Sequence, residues 1–244
     1  MAQTASAARK ARRRPRSGVS LTDQAYYTLR ERILRGSLPP GTAVSRRKVA
    51  EELGVSFLPI SDAILRLERD GLLESRSRAG TRVRVPTADE IRGRYVVREA
   101  LEGESAKLCC QRATFQQRLE LRRMGEQLDT LYAHLTDSPD PDFLYVVHQQ
   151  HMTLHQQIAE CARCPELKEA IEKNQVLIYN WFYDVSAQRP SPPVHFHSEL
   201  AAAVTSERPE VADKVMREHV RYGRDGIIEA MGNHLKAGDW RVKR

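Results

Sequence analysis

The 244-residue chain exceeds the size that a single core usually serves, which favours a small module joined to a larger one. Residues 1–85 hold 18 Lys and Arg against 8 Asp and Glu, a net of +10, whereas residues 86–244 hold 21 against 24, a net of −3, so a polyanionic partner is expected for the first part alone. The longest apolar stretch, VLIYNWFY at 176–183, is broken by Asn180 and falls well short of the roughly 20 residues that span a bilayer, which excludes a helical membrane protein and predicts a soluble, cytoplasmic one.

In chain order, residues 1–20 come first, with Arg9, Lys10, Arg12, Arg13, Arg14 and Arg16, no acid, and no apolar segment of a secretory signal. They read as a disordered basic arm. A mitochondrial transit peptide is the rival, disfavoured because the run abuts a basic segment for which a cationic arm makes direct sense. Residues 23–35 place Ala25, Leu29, Ile33 and Leu34 at helical spacing and stop at Gly36. Ser45 is a natural cap for RRKVAEEL, which ends at Gly54, and Ser56 for FLPISDAILRLERDGLL, which ends at Gly71. Pro59 falls in the first turn of that third helix, where a missing N–H costs nothing. Helix, glycine turn and helix predict a helix-turn-helix. After residue 72 the period changes to two, and Arg82, Val83, Arg84 and Val85 follow a turn at Ala79 and Gly80, which predicts a two-stranded wing closed by Pro86.

From Thr87 onward helices are expected over 88–112, 115–136, 141–161, 165–187, 195–206 and 209–232, separated by Thr114, Ser138-Pro139, Pro165, Arg189 to Pro193, and Pro209. The expected fold class is mostly α. It comprises a basic arm (1–20), a winged helix-turn-helix domain (21–86), an all-α helical bundle for effector binding and dimerisation (87–235), and a basic tail (236–244). Cys109, Cys110, Cys161 and Cys164 include one CxxC but no second pair to complete a four-thiolate site, so reduced, mostly buried thiols are expected.

Over residues 21–85, SLPPGTAVSRRKVAEELGVSFLPISDAILRLERDGLL and RSRAGTRV resemble the GntR family of bacterial regulators in the order and spacing of turns, recognition helix and Gly-Thr wing. The helical second half, opening with YVVREALEGESAKLCC, resembles the FCD-type effector domain of the FadR branch, with Arg98, Leu101 and Glu102 in place. The resemblance implies a homodimer on two-fold symmetric operator DNA. Arg46, Arg47 and Lys48 at the start of the second helix suit phosphates, Ser56, Phe57, Leu58 and Ser61 would face the major groove, and Arg76, Arg78, Gly80, Thr81 and Arg82 form the wing. Phe57 and Ser61 stand where the family commonly has arginine, so its usual operator does not carry over.

His151 and His155, at i and i+4, project from one helix face as a shared metal requires. The family has Asp at the position of His151; His197 and His219 match its remaining ligand positions. Four imidazoles suit Zn, Ni or another borderline cation. The plainer alternative is a set of core histidines, and His148 and His195 are nearby extras. Arg98 is a bidentate partner for a carboxylate-bearing, small anionic metabolite, or else a surface salt bridge to Glu102 at i+4. Asn174, Tyr179, Trp181 and Tyr183 are candidates for a pocket lining, aromatic groups at such spacing being more often core. Two rival functions stay open: a metal-dependent enzyme, weakened by the lack of a general base, and an architectural DNA-binding protein.

Overall fold

The computed structural model describes residues 19–136, 140–174 and 192–237. The first helix, α1 (Leu21–Leu34), is capped by Ser20, whose hydroxyl accepts from the Asp23 amide at 3.0 Å. Ser45 likewise caps α2 (Arg46–Leu53), which ends on Gly54 at φ 64°, a left-handed turn that glycine adopts without a Cβ penalty. The third helix, α3 (Phe57–Arg69), begins after Ser56, which makes no side-chain cap bond. Its inner face, Ile60, Ala63, Ile64 and Leu67, packs on Ala25, Leu29 and Ile33 of α1 to form the core of the N-terminal unit.

The wing is larger than its sequence pattern predicts. Strands β2 (Leu73–Arg76) and β3 (Gly80–Val83) pair antiparallel as expected, but a two-residue strand, β1 (Ala43–Val44), joins β3 on its other edge. Two residues are too few to show alternation, and their partners lie near Arg82, so no local signal marks them. The hairpin turn needs positive φ at Arg78 (62°) as well as at Gly80 (77°).

Helix α4 (Ala88–Arg112) opens with a reciprocal capping box between Thr87 and Glu90 and packs along α9 (Pro209–Ala237). Thr114 and Gln117 form a second capping box at the start of α5 (Phe115–Ala133), which stops short of the expected residue 136. Helix α6 (Pro141–Cys161) packs against both α4 and α5. Residues 165–174 form α7, and the rest of the helix expected to 187 lies outside the described residues, as do Tyr179, Trp181 and Tyr183. Helix α8 (Phe196–Val204) packs on α5 and α9. Tyr95, Leu121, Leu128, Leu154, Ile158, Leu200 and Val220 sit in one continuous core. Cys109, Cys110 and Cys161 are buried free thiols and Cys164 is partly exposed, as expected.

Candidate metal centre and nucleic-acid interface

The bundle centres on three imidazoles. His151 and His155 project from one face of α6, and His219 meets them from α9; all three are buried. Their Nε2 atoms converge, at 2.9 Å between His151 and His155, 3.1 Å between His151 and His219, and 3.2 Å between His155 and His219. Zinc–nitrogen bonds of about 2.0–2.1 Å in a tetrahedron set neighbouring donors roughly 3.3–3.4 Å apart, so this triangle is close to one face of such a site. His197 stands beside it, its ring centroid 5.0 Å from that of His151 and 5.5 Å from that of His219. Three of the four expected histidines therefore converge as donors and the fourth is in ring contact. His148 is buried on the same helix, and exposed His195 precedes α8.

Two carboxylates that spacing alone did not assign to the site orient the imidazoles. Glu102 is 2% exposed and pairs through Oε2 with Nδ1 of His155, while its Oε1 accepts from Nε of Arg98 at 2.5 Å. A proton held on Nδ1 leaves the Nε2 lone pair of His155 aimed at the centre. Burial alone would raise the Glu102 pKa, but the Arg98 guanidinium and His155 overcome it and hold it at about 2. The i+4 pair of Arg98 with Glu102 thus exists, and it is not at the surface: Arg98 is 3% exposed, its guanidinium carbon 5.4 Å from the Tyr95 ring centroid. Val96 and Val97 on the same helix are exposed, and the Asn174 amide donates to the Arg94 carbonyl at 3.4 Å.

Asp129 of α5 does the corresponding work for His197. Its Oδ1 accepts from the His197 backbone amide at 2.9 Å and faces Nδ1 of that ring at 2.8 Å, and its Oδ2 accepts from the Ser198 amide at 2.9 Å. Helix α8 has no cap of its own, since His195 precedes it in the left-handed region without a side-chain cap bond. The carboxylate from α5 takes that place. One turn earlier, Gly125 allows the approach, because a Cβ there would lie 2.7 Å from the His197 carbonyl oxygen. Tyr132, on the same face, stacks on His197 with centroids 4.7 Å apart and lies 3.3 Å by its hydroxyl from His151 Nδ1. The signal in the sequence is the spacing Gly125, Asp129, Tyr132, one stripe of α5.

Burial and the neighbouring imidazoles push the His151 pKa well below 6.5, and burial lowers that of His197 against the pull of Asp129. Rings held neutral in the fold are protonated first in the unfolded chain, so their contribution to stability is complete above about pH 6.5 and is lost as pH falls below it. Chelator-treated protein should therefore hold its Tm from pH 7.5 to about 6.5 and lose it progressively below that; a Tm that stays flat or rises below pH 6.5 would contradict this.

On the N-terminal unit Arg47, Lys48, Ser56, Phe57 and Leu58 are exposed, Arg46 and Ser61 half-buried, and Arg76, Arg78 and Gly80 exposed on the hairpin, where Arg82 is half-buried. Thr81 differs from its neighbours. It is 6% exposed and its hydroxyl bonds that of Ser75 at 2.7 Å, so it braces the hairpin rather than facing outward.

Residues 21–83 match the family described as bacterial regulatory proteins, gntR family, and residues 94–222 match the FCD domain. The chain belongs to the GntR family and carries an FCD domain. This GntR regulator is 23% identical over 215 residues to the HTH-type transcriptional repressor RspR of Escherichia coli K12, covering 82% of this chain and 86% of that protein. It is 24% identical over 189 residues to a D-xylose utilization operon transcriptional repressor, so named as probable, from Paenarthrobacter nicotinovorans, with 77% and 80% covered. Among solved structures, E. coli McbR/YncC superposes with a TM-score of 0.70 at 22% identity over 87% of this chain and 99% of that one. A GntR regulator from Rhodococcus sp. RHA1 gives a TM-score of 0.69 at 20% identity, with 86% and 98% covered. These relatives are transcriptional regulators, not enzymes, and no helix among the described residues is long and apolar enough to cross a membrane.

Proposed function

We propose that this regulator, a member of the FadR branch acting in the cytoplasm, binds a specific operator as a homodimer and is controlled by a small carboxylate-bearing metabolite beside a divalent metal, Zn or Ni. His151, His155 and His219 would hold the ion, with His197 as the fourth donor. The observation that carries this reading is the convergence of three buried Nε2 atoms on one point, with Glu102 fixing the proton of His155 on the far side. Neutral imidazoles leave the charge of a divalent ion uncompensated, and that charge attracts a carboxylate. Arg98, buried and held by Glu102 and Tyr95, would act on an anionic effector through its charge from beneath the site rather than through exposed donors, and Asn174 on α7, bonded to the Arg94 carbonyl one turn earlier, would stand beside it. Valines 96 and 97, 64% and 50% exposed on the outer face of α4, support burial against a second copy.

Helix α6 supports coupling between site and DNA. It carries His151 and His155 near its middle, and at its start Asp142 accepts from Arg35 at 3.2 Å while the Tyr145 ring lies 4.3 Å beneath the same guanidinium. Arg35 ends α1, which underlies the recognition helix. Binding of the protein to its own promoter DNA, compared between chelated and Zn- or Ni-loaded forms and across a panel of organic acids, tests the whole reading. A short palindromic footprint that responds to metal and acid is expected; diffuse coverage with no response would overturn it. Arg47→Ala and Arg78→Ala should weaken this binding and flatten its salt dependence. Arg35→Ala should shrink the difference between metal-loaded and stripped protein by roughly 3- to 10-fold while leaving metal binding intact, because its contacts lie outside the histidine cluster.

A further inference from the structure

The outer face of α3 carries apolar side chains that remain exposed among the described residues. Phe57 is 57% exposed, Leu58 69% and Leu65 48%, whereas the opposite face of the same helix is the core of the unit. Exposed side chains of this size at the first turn are wasted in water unless a partner takes them. The same unit exposes cations near this helix in sequence, Arg47 and Lys48 at the start of α2 and Arg76 and Arg78 on the hairpin, and Lys48 lines one hollow with Ala79, Gly80 and Thr81 of the hairpin turn. No guanidinium or ammonium projects from the first two turns of α3, which run FLPISDA, and Asp62 is exposed there. The Ser61 hydroxyl donates back to the Phe57 carbonyl at 3.1 Å, which spends its proton within the helix.

A unit of net positive charge that also exposes an apolar helix face fits a duplex whose phosphates meet the cations and whose groove floor is itself apolar. In the major groove the apolar feature of the standard bases is the C5-methyl group of thymine; guanine offers two acceptors and calls for a cation. We propose that Phe57 and Leu58 read thymine methyl groups, so that this protein prefers half-sites with thymine where a guanine-reading side chain would demand guanine. The proposal rests on the reading of the chain as a sequence-specific operator-binding protein and adds what its recognition helix selects.

The test begins with a duplex selected from a randomised library by the full-length protein. The selected site is then resynthesised with deoxyuridine replacing thymidine at one position at a time, which removes the methyl group and keeps every hydrogen-bonding atom. Loss of roughly fourfold in affinity per contacted methyl is expected at a few positions in each half-site, and none elsewhere. Phe57→Ala and Leu58→Ala replace exposed side chains, so the fold should persist; each should lose discrimination between thymine and uracil at the methyls its own side chain contacts, the double variant should bind both duplexes alike, and the salt slope should be unchanged because no phosphate contact is removed. A selected site indifferent to uracil at every position would overturn the methyl reading alone. Selection that yields no preferred sequence would overturn the sequence-specific reading with it.

Discussion

Replacing Glu102 by alanine is expected to destabilise the protein by about 3–5 kcal/mol, among the largest effects available to a single substitution here. The carboxylate is the partner of a guanidinium sealed inside the bundle, and Arg98 at 3% exposed has no route to water once Glu102 is gone. Truncating one member leaves a buried charge uncompensated, whereas replacing both with apolar groups of similar size removes the charge and its partner together. The pair Arg98→Met with Glu102→Leu should accordingly be far less damaging than Glu102→Ala alone, and chemical denaturation of the three proteins measures the difference. Glu102 also orients His155, so even the double variant should hold metal 10–100-fold more weakly, as loss of an outer partner of a ligand does. The contribution of Glu102 is fully present above about pH 4.5 and is lost as pH falls toward 2, since its carboxylate is held at about 2 in the fold.

Asp129→Ala should cost about 2–3 kcal/mol, by removing the acceptor for two backbone amides at the start of α8 together with the partner of the His197 ring. Its hydrogen bonds to His197 and Ser198 hold this carboxyl well below the ordinary range despite partial burial. Asp129→Asn keeps an acceptor for the amides and loses the charge, so it should recover part of the stability and little of the His197 orientation. Ring-nitrogen chemical shifts of His197 separate the two roles: a change of tautomer in Asp129→Asn is expected, and wild-type shifts in that variant would mean that Asp129 serves only as a cap.

Local rules made the N-terminal unit legible. Gly36, Gly54 and Gly71 all occupy positive φ where the sequence predicts helix ends, and Ser45 caps the helix it precedes. Turn and cap chemistry is decided within four residues, so the chain announces it. The imidazole cluster was legible in another way, through i, i+4 spacing on α6 and the resemblance that supplied His197 and His219. What could not be read is what pairs across the fold. Asp129 caps a helix 68 residues away, and Glu102 joins Arg98 on its own helix to His155 on another. The stripe Gly125, Asp129, Tyr132 hints that Asp129 faces inward, but neither it nor the position of Glu102 names a partner until α5 meets α8 and α4 meets α6. The Arg98 pair shows the same limit: its i+4 spacing was visible, and its burial was not.

Metal content of untagged protein, determined by elemental analysis, tests the centre most directly. About one divalent ion per protomer, Zn or Ni, is expected, absent from His155→Ala and His219→Ala, with a Tm of the stripped parent that rises when either ion is returned. A parent that carries no metal and gains no thermal stability from added Zn or Ni would contradict it and leave these histidines as core residues.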